Sequence, residues 1–289
     1  MASQGNRNGS IGVFDSGFGG LDILRCIVAK LPQHHYLYLG DTQRTPYGTR
    51  TQGTIYQFSR EAVDFLFKRG CELIILACNT ASAEALRKIQ QEYLPQFFSQ
   101  NKVLGVIIPA VEAAVGQTKN GKVGIMATEG TVKSGAFERE ILRRSPNTRV
   151  FQAACPLLVP IVEAGEDSPE IVLPILRKYL VPLFEQGIDT LILGCTHYGL
   201  LEKQIRQALR QGLGQVVGEK VSLIVEGEVV AEKLADYLAR HSEIEQKLNL
   251  AGEVEFFTTD LTDKFQELGS QFFGKPIDPQ KVEISDKNG

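Results

Sequence analysis

The chain alternates between short runs in which every position is apolar and longer stretches in which apolar residues recur every three or four. Leu73-Ile74-Ile75-Leu76 and Thr190-Leu191-Ile192-Leu193 are the clearest of the short runs. Such runs, bounded by glycine or polar residues, fit strands covered on both faces, as in a parallel sheet. Residues 11–14, 36–39, 103–108, 148–153, 221–225 and 254–259 read as further strands. The stretches between them read as helices. Residues 21–31 are stopped by Pro32, and 54–69 carry Ile55, Phe58, Ala62, Phe65 and Leu66 on one side. Further helices are expected from 79 to about 93, closed by Pro95, and over 134–144 and 171–185. Thr262 reads as the cap of a last helix bearing Phe265, Leu268, Phe272 and Phe273, and residues 278–289 as a short tail. Alternating strands and helices predict the α/β class.

The pattern then repeats. Asn8-Gly9-Ser10-Ile11-Gly12-Val13 is echoed 112 residues later by Asn120-Gly121-Lys122-Val123-Gly124-Ile125. Ala77-Cys78-Asn79-Thr80 is echoed 117 residues later by Gly194-Cys195-Thr196-His197. In both halves the order is strand, turn, helix, strand, loop, helix, strand, cysteine, which indicates an internal duplication. The expected fold has two similar three-layer lobes with mostly parallel sheets related by pseudo-two-fold symmetry. The active site is expected in the cleft between them, at the carboxyl ends of the strands.

Composition narrows the function. Of 289 residues, 43% are hydrophobic and 22% charged, and the net charge is -3, values of a globular protein without a basic stripe for nucleic acid. Residues 1–10 lack the apolar core of a signal peptide. The most apolar window, 103–115, contains Pro109 and Glu112 and is too short to span a bilayer. A cytoplasmic protein is expected. Five cysteines, an odd number in a long chain, argue for thiols rather than a disulfide framework. Cys26, in a helix pattern, and Cys71, before a strand, read as small buried hydrophobes. Cys155 is unassigned by pattern. Cys78 and Cys195 differ because each sits at a strand end among polar neighbours.

Two such thiols suit removal of a proton from one face of a carbon acid and its return on the other. A thiol, with a reference pKa of about 8.5, serves as base when ionised and as acid when not. Ser16, Asn79, Thr80, Thr128 and Thr196 offer hydroxyl and amide groups for the carboxylates and ammonium of an amino acid. Asp15 and His197 can manage protons for the thiols. The turn Asp15-Ser16-Gly17-Phe18-Gly19-Gly20 lies between a strand and a helix and suits an anion, or is simply a tight turn. Gly40-Asp41-Thr42-Gln43-Arg44-Thr45-Pro46-Tyr47-Gly48 is polar enough to be a ligand loop. Zinc held by Cys78, Cys195, His197 and Asp15 is an alternative without the usual ligand spacing, and a Cys–His nucleophile would leave the second thiol idle. No strand-end lysine is present for pyridoxal phosphate. A two-lobed binding protein remains a non-enzymatic alternative.

These motifs, with Gly130-Thr131-Val132, Ser134 and Gly194-Cys195-Thr196-His197-Tyr198, resemble those of the glutamate racemases, cofactor-independent enzymes that supply D-glutamate for peptidoglycan. The resemblance runs from Ile11 to about Gly274, and His197 stands where the related aspartate racemases tend to carry Glu. It implies that Cys78 works on the D face of the substrate and Cys195 on the L face. It also implies substrate contacts from Asp15, Ser16, Tyr47, Gly48, Asn79, Thr80, Thr196 and His197, with Glu163 supporting His197; Thr128 and Thr131 are further candidate substrate contacts. Neither cofactor nor metal is expected. The expected partners are L- or D-glutamate and a second copy in a homodimer, with no nucleic acid and no membrane. By the same resemblance the carboxyl-terminal segment returns to the first lobe, so that 1–100 and 215–289 form one lobe and 101–214 the other. Two departures stand out: Gly199 replaces a usual Pro, and Val225-Glu226-Gly227-Glu228 replaces an Asp-containing turn.

Overall fold

Parallel strands cannot be joined by tight turns, so each apolar run must be followed by a crossing helix. The computed structural model, which describes residues 9–213 and 221–284, is built on that rule. Its strands are β1 (Ser10–Asp15), β2 (Tyr36–Gly40), β3 (Cys71–Leu76), β4 (Lys102–Gly105), β5 (Lys122–Ala127), β6 (Arg149–Ala154), β7 (Thr190–Gly194), β8 (Ser222–Ile224), β9 (Val254–Thr258) and β10 (Pro279–Lys281). They form a six-stranded sheet in the order β10-β9-β2-β1-β3-β4 and a four-stranded sheet in the order β6-β5-β7-β8. Every pairing is parallel. The chain divides into two compact units, one reaching Val106 and resuming at Val230, the other Ile107–Val229.

In the first unit, β1 is central and the chain winds outward from it in both directions. The helix Gly20–Lys30 leads from β1 to β2, and Gln52–Lys68 leads back across β1 to β3. Right-handed crossovers running in opposite directions put helices on opposite faces of the sheet. Both faces of the central strands are therefore covered, and every residue of β1 and β2 is buried. Thr51 caps Gln52–Lys68 by accepting the Thr54 N–H. Thr262 does the same for Asp263–Phe273 through Phe265 N–H, as the sequence predicts.

The second unit repeats the first four strands: β5, β6, β7 and β8 take the relative places of β1, β2, β3 and β4. The helices Ala136–Arg144 and Pro169–Glu185 occupy the two expected crossings. The duplication seen in sequence is thus a duplication of topology. Asn8, its first anchor, lies outside the described residues.

Several expectations change. The strand expected over 103–108 is β4, and Ile107 already opens the helix Ile107–Gln117. β4 pairs with β3 and β8 with β7, so the chain passes between units at Val106/Ile107 and Val229/Val230. The helix expected from 79 to 93 is broken into Asn79–Glu84, Leu86–Lys88, a π turn at Ile89–Tyr93 and Leu94–Phe97. Pro95 has no N–H to donate to the turn before it, and the wider π turn takes up that loss. The tail expected from residue 278 contains β10, which pairs with β9; residues 285–289 lie outside the described residues. Cys71 is the first residue of its strand rather than before it. Cys26 is only partly buried. No helix among the described residues is long and apolar enough to cross a membrane.

The residue before the strand-end cysteine differs between the units, Ala77 in one and Gly194 in the other, and packing explains the second. A Cβ on Gly194 would lie 2.8 Å from the fully buried Phe137 ring. Gly194→Ala is therefore expected to destabilise the protein by about 1–3 kcal/mol, the usual cost of overpacking. A urea midpoint equal to that of the wild type would contradict this.

Candidate active site

In a parallel sheet all strands release their loops at one edge, and the chemistry-bearing residues of each unit collect there. In the first unit, Asp15 ends β1, Asp41 follows β2, and Cys78 follows β3 by two residues. Cys78 caps the helix Asn79–Glu84, its Sγ accepting the Ala81 N–H at 3.5 Å. Ser16 Oγ lies 3.3 Å from the same sulfur, and the Ser16 N–H also bonds it. Burial and the Asp15 carboxylate push the Cys78 thiol up to about 11, against the lowering pull of these Ser16 and Ala81 donors. The resting group is a thiol, with donors already in place for the thiolate.

Asp15 has a second task. Its Oδ2 accepts the Gly17 N–H at 2.9 Å, closing the turn. The Leu21 and Asp22 N–H groups donate to Phe18 and Gly19 carbonyls, so these amides are used within the turn. A Cβ on Gly20 would lie 2.6 Å from the Asp15 Cβ and 3.1 Å from that of Ala77, so this position of the turn has room only for glycine. Tyr38 fastens it from β2, its hydroxyl donating to the Gly17 carbonyl at 3.0 Å.

Tyr47 and Gly48 stand in a short 3-10 turn, Tyr47–Thr49, that touches the helix Asn79–Glu84. The Tyr47 ring is buried beside Phe14 and Phe58. Its hydroxyl donates to Asp41, and burial together with that carboxylate holds it well above the ordinary tyrosine range. Asn79 and Thr80 are buried in the first turn after Cys78. The structure thus gathers Asp15, Ser16, Tyr47, Cys78, Asn79 and Thr80 at one edge of one sheet.

In the second unit Cys195 follows β7 directly and precedes the 3-10 segment Thr196–Leu201. Its Sγ lies 4.0 Å from His197 Nδ1. On the other side of that ring, Nε2 lies 3.1 Å from Glu163 Oε1, on the helix Leu158–Glu163 packed against Thr196–Leu201. A carboxylate on Nε2 favours the tautomer with its proton there, which leaves the Nδ1 lone pair toward the thiol. Thr196 Oγ1 is 3.4 Å from the same nitrogen. Tyr198 locks the segment by donating its buried hydroxyl to the Cys155 carbonyl at 3.1 Å. Cys155, which sequence leaves unassigned, is a buried thiol pushed up to about 12 by desolvation, its Sγ donating to the Ala153 carbonyl at 3.4 Å.

Thr128 and Thr131 are tied to each other. Thr128 caps the helix Glu129–Ser134 by accepting the Thr131 N–H at 3.3 Å, and its hydroxyl donates to Thr131 Oγ1 at 3.0 Å. Sequence reasoning misses a further group, the buried Asp41 carboxylate with Arg44, Glu61 and Thr259. Arg44 Nε donates to Asp41 Oδ2 at 2.6 Å and its Nη1 donates to Glu61, while Thr259 Oγ1 donates to Asp41 Oδ1 at 2.8 Å. The motif Gly40-Asp41-Thr42 and the run Thr258-Thr259-Asp260 are the signals that could have pointed to it.

Residues 11–232 match the Asp/Glu/Hydantoin racemase family. The glutamate racemase of Geobacter metallireducens is 40% identical over 266 residues, covering 92% of this chain and 93% of its own. Among solved structures, glutamate racemase isoform RacE1 from Bacillus anthracis superposes with a TM-score of 0.85 at 34% identity, over 96% of this chain and 98% of that one. The Francisella tularensis glutamate racemase, solved with D-glutamate, gives a TM-score of 0.83 at 32% identity over the same shares. With a family match over most of its length and relatives this similar along nearly all of it, the chain belongs to the Asp/Glu/Hydantoin racemase family.

Proposed function

We propose that the protein interconverts L- and D-glutamate by two-base proton transfer, with Cys78 and Cys195 on opposite faces of the α-carbon and with no metal or cofactor. The observation that carries this reading is the matched pair of strand-end thiols, each buried beside groups suited to holding or moving its proton. Solved relatives include one with D-glutamate bound, which supports glutamate as the substrate. The same reading makes the protein a cytoplasmic homodimer that feeds D-glutamate into peptidoglycan, and divides its residues into two lobes that each contribute one base.

In the L-to-D direction the Cys195 thiolate takes the α-proton and becomes a thiol, leaving the electron pair on the α-carbon and its carboxylate. The Cys78 thiol then donates its proton to the other face and becomes a thiolate. His197, backed by Glu163, accepts the Cys195 proton beforehand, and the Ser16 and Ala81 donors hold the charge on Cys78 afterwards. The reverse reaction exchanges these roles. A substrate ammonium beside Cys78 would lower its raised pKa, so ionisation there follows binding. Asn79, Thr80, Thr196, Tyr47 and Gly48 hold the substrate's polar ends in this scheme.

Isotope exchange tests the scheme directly. In heavy water, D-glutamate formed from L-glutamate should carry α-deuterium from the first turnovers, while unreacted L-glutamate initially remains protiated. Cys78→Ser or Cys195→Ser should each lower kcat/KM in both directions by at least about 100-fold, the order of a positioned acid or base. Protium in the early product, or racemisation surviving either change, would count against two bases.

The raised Cys78 thiol also sets a pH dependence. A thiol at about 11 is protonated at neutral pH, and its thiolate fraction grows about tenfold per pH unit up to that value. Alkylation of Cys78 in the substrate-free protein should therefore keep accelerating through pH 9. Asp15→Asn removes a like charge and should move the profile to lower pH. A rate that levels off by pH 8.5 in the wild type would refute the assignment.

A further inference from the structure

We infer that Thr259, the residue after β9, is a positioning residue for the substrate loop 42–48, acting through the buried carboxylate of Asp41. This inference rests on the proposed role of Tyr47 and Gly48 as substrate contacts.

Asp41 is a fully buried carboxylate, which must find donors for both oxygens. Asp41 finds them in three places. Thr259 Oγ1 donates to Oδ1, while Tyr47 OH and Arg44 Nε donate to Oδ2. The tyrosine that carries the loop and the threonine that follows β9 are therefore held by opposite oxygens of one rigid group. Thr259 Oγ1 also accepts the Gln43 N–H at 3.0 Å, so one hydroxyl fixes both the carboxylate and the start of the loop. Arg44 is anchored beyond Asp41 by Glu61 and lies over the Phe58 ring at 4.1 Å. Phe58 in turn packs on Tyr47 at 5.6 Å. Thr259 thus stands at the head of a network that ends on the ring beside the proposed substrate.

Strand pairing in the same place is independent of that hydroxyl. The Thr259 N–H donates to the Gly40 carbonyl at 3.0 Å, and Thr42 Oγ1 bonds Thr258 Oγ1 at 2.7 Å and the Asp260 carbonyl at 2.9 Å. Valine at position 259 has nearly the shape of threonine and keeps these rungs, but it can neither donate to Asp41 nor accept from Gln43. Serine keeps both bonds. The two variants separate positioning from bulk.

Amide exchange and kinetics together decide the matter. In Thr259→Val, exchange at residues 43–48 should rise at least about 10-fold. Its kcat/KM for glutamate should fall at least about 10-fold, mainly through KM, because small misplacements of substrate-holding groups are costly. Thr259→Ser should stay within about 3-fold of wild type in both measurements, since it restores each bond. Ile27→Ala, a core change in the helix Gly20–Lys30 away from this network, should lower Tm yet leave kcat/KM unchanged. Wild-type kcat/KM and exchange in Thr259→Val would overturn the inference alone. So would a loss of activity no greater than in Ile27→Ala. Absence of glutamate racemisation by the wild-type chain would overturn the proposed function and this inference with it.

Discussion

Parallel pairing is the constraint on which the rest of this molecule depends. Because no parallel pair can be closed by a hairpin, each strand must hand the chain to a crossing element before the next begins. All strands then point the same way, and every loop that leaves a strand emerges at one edge of its sheet. Asp15, Asp41 and Cys78 are neighbours in the first unit because they leave β1, β2 and β3, although no short segment contains all three. Cys195 occupies in the second sheet the place that Cys78 occupies in the first. Sheet polarity accounts for where the chemistry is; the loop residues account for what it is.

The two thiols are equivalent in topology and unequal in surroundings. Cys78 has two backbone donors and a serine hydroxyl around its sulfur and a carboxylate nearby that opposes its charge. Cys195 has an imidazole within reach and a glutamate behind that imidazole. One site stabilises a thiolate that has formed; the other offers somewhere for a thiol's proton to go. A duplicated fold has therefore placed two topologically equivalent cysteines in different surroundings.

Much of this was legible in the sequence, for identifiable reasons. The strands buried on both faces announce themselves as unbroken apolar runs, and the repeated order of elements singled out Cys78 and Cys195 from five cysteines. β10 was missed because Pro279-Gln280-Lys281 has no apolar pattern and is a strand only through its pairing with β9. The helix after Cys78 was expected to be continuous because periodicity does not register a π turn. The cap that Thr128 forms on the Thr131 N–H is not legible either, because hydroxyl side chains look alike in sequence whether they bind a substrate or cap a helix. The Asp41 network was invisible for a different reason: Asp41 and Thr259 are 218 positions apart, and no local pattern can join them.

That separation has a bearing on how the protein is made. β2 lies between β1 and β9, and its second neighbour is synthesised long after it, once the whole of the second unit has been made. A nascent chain on the ribosome can pair β1 with β2 and β3 early, but it holds an open edge on β2 until β9 emerges. Until then the Asp41 carboxylate lacks one of its donors, and the cost of closing so long a loop has yet to be met. Chains cut short before residue 254 would present that edge, a template for pairing with other strands, to the cell's proteases and chaperones. Anchoring of the loop after β2 is thereby coupled to the arrival of a residue 218 positions later.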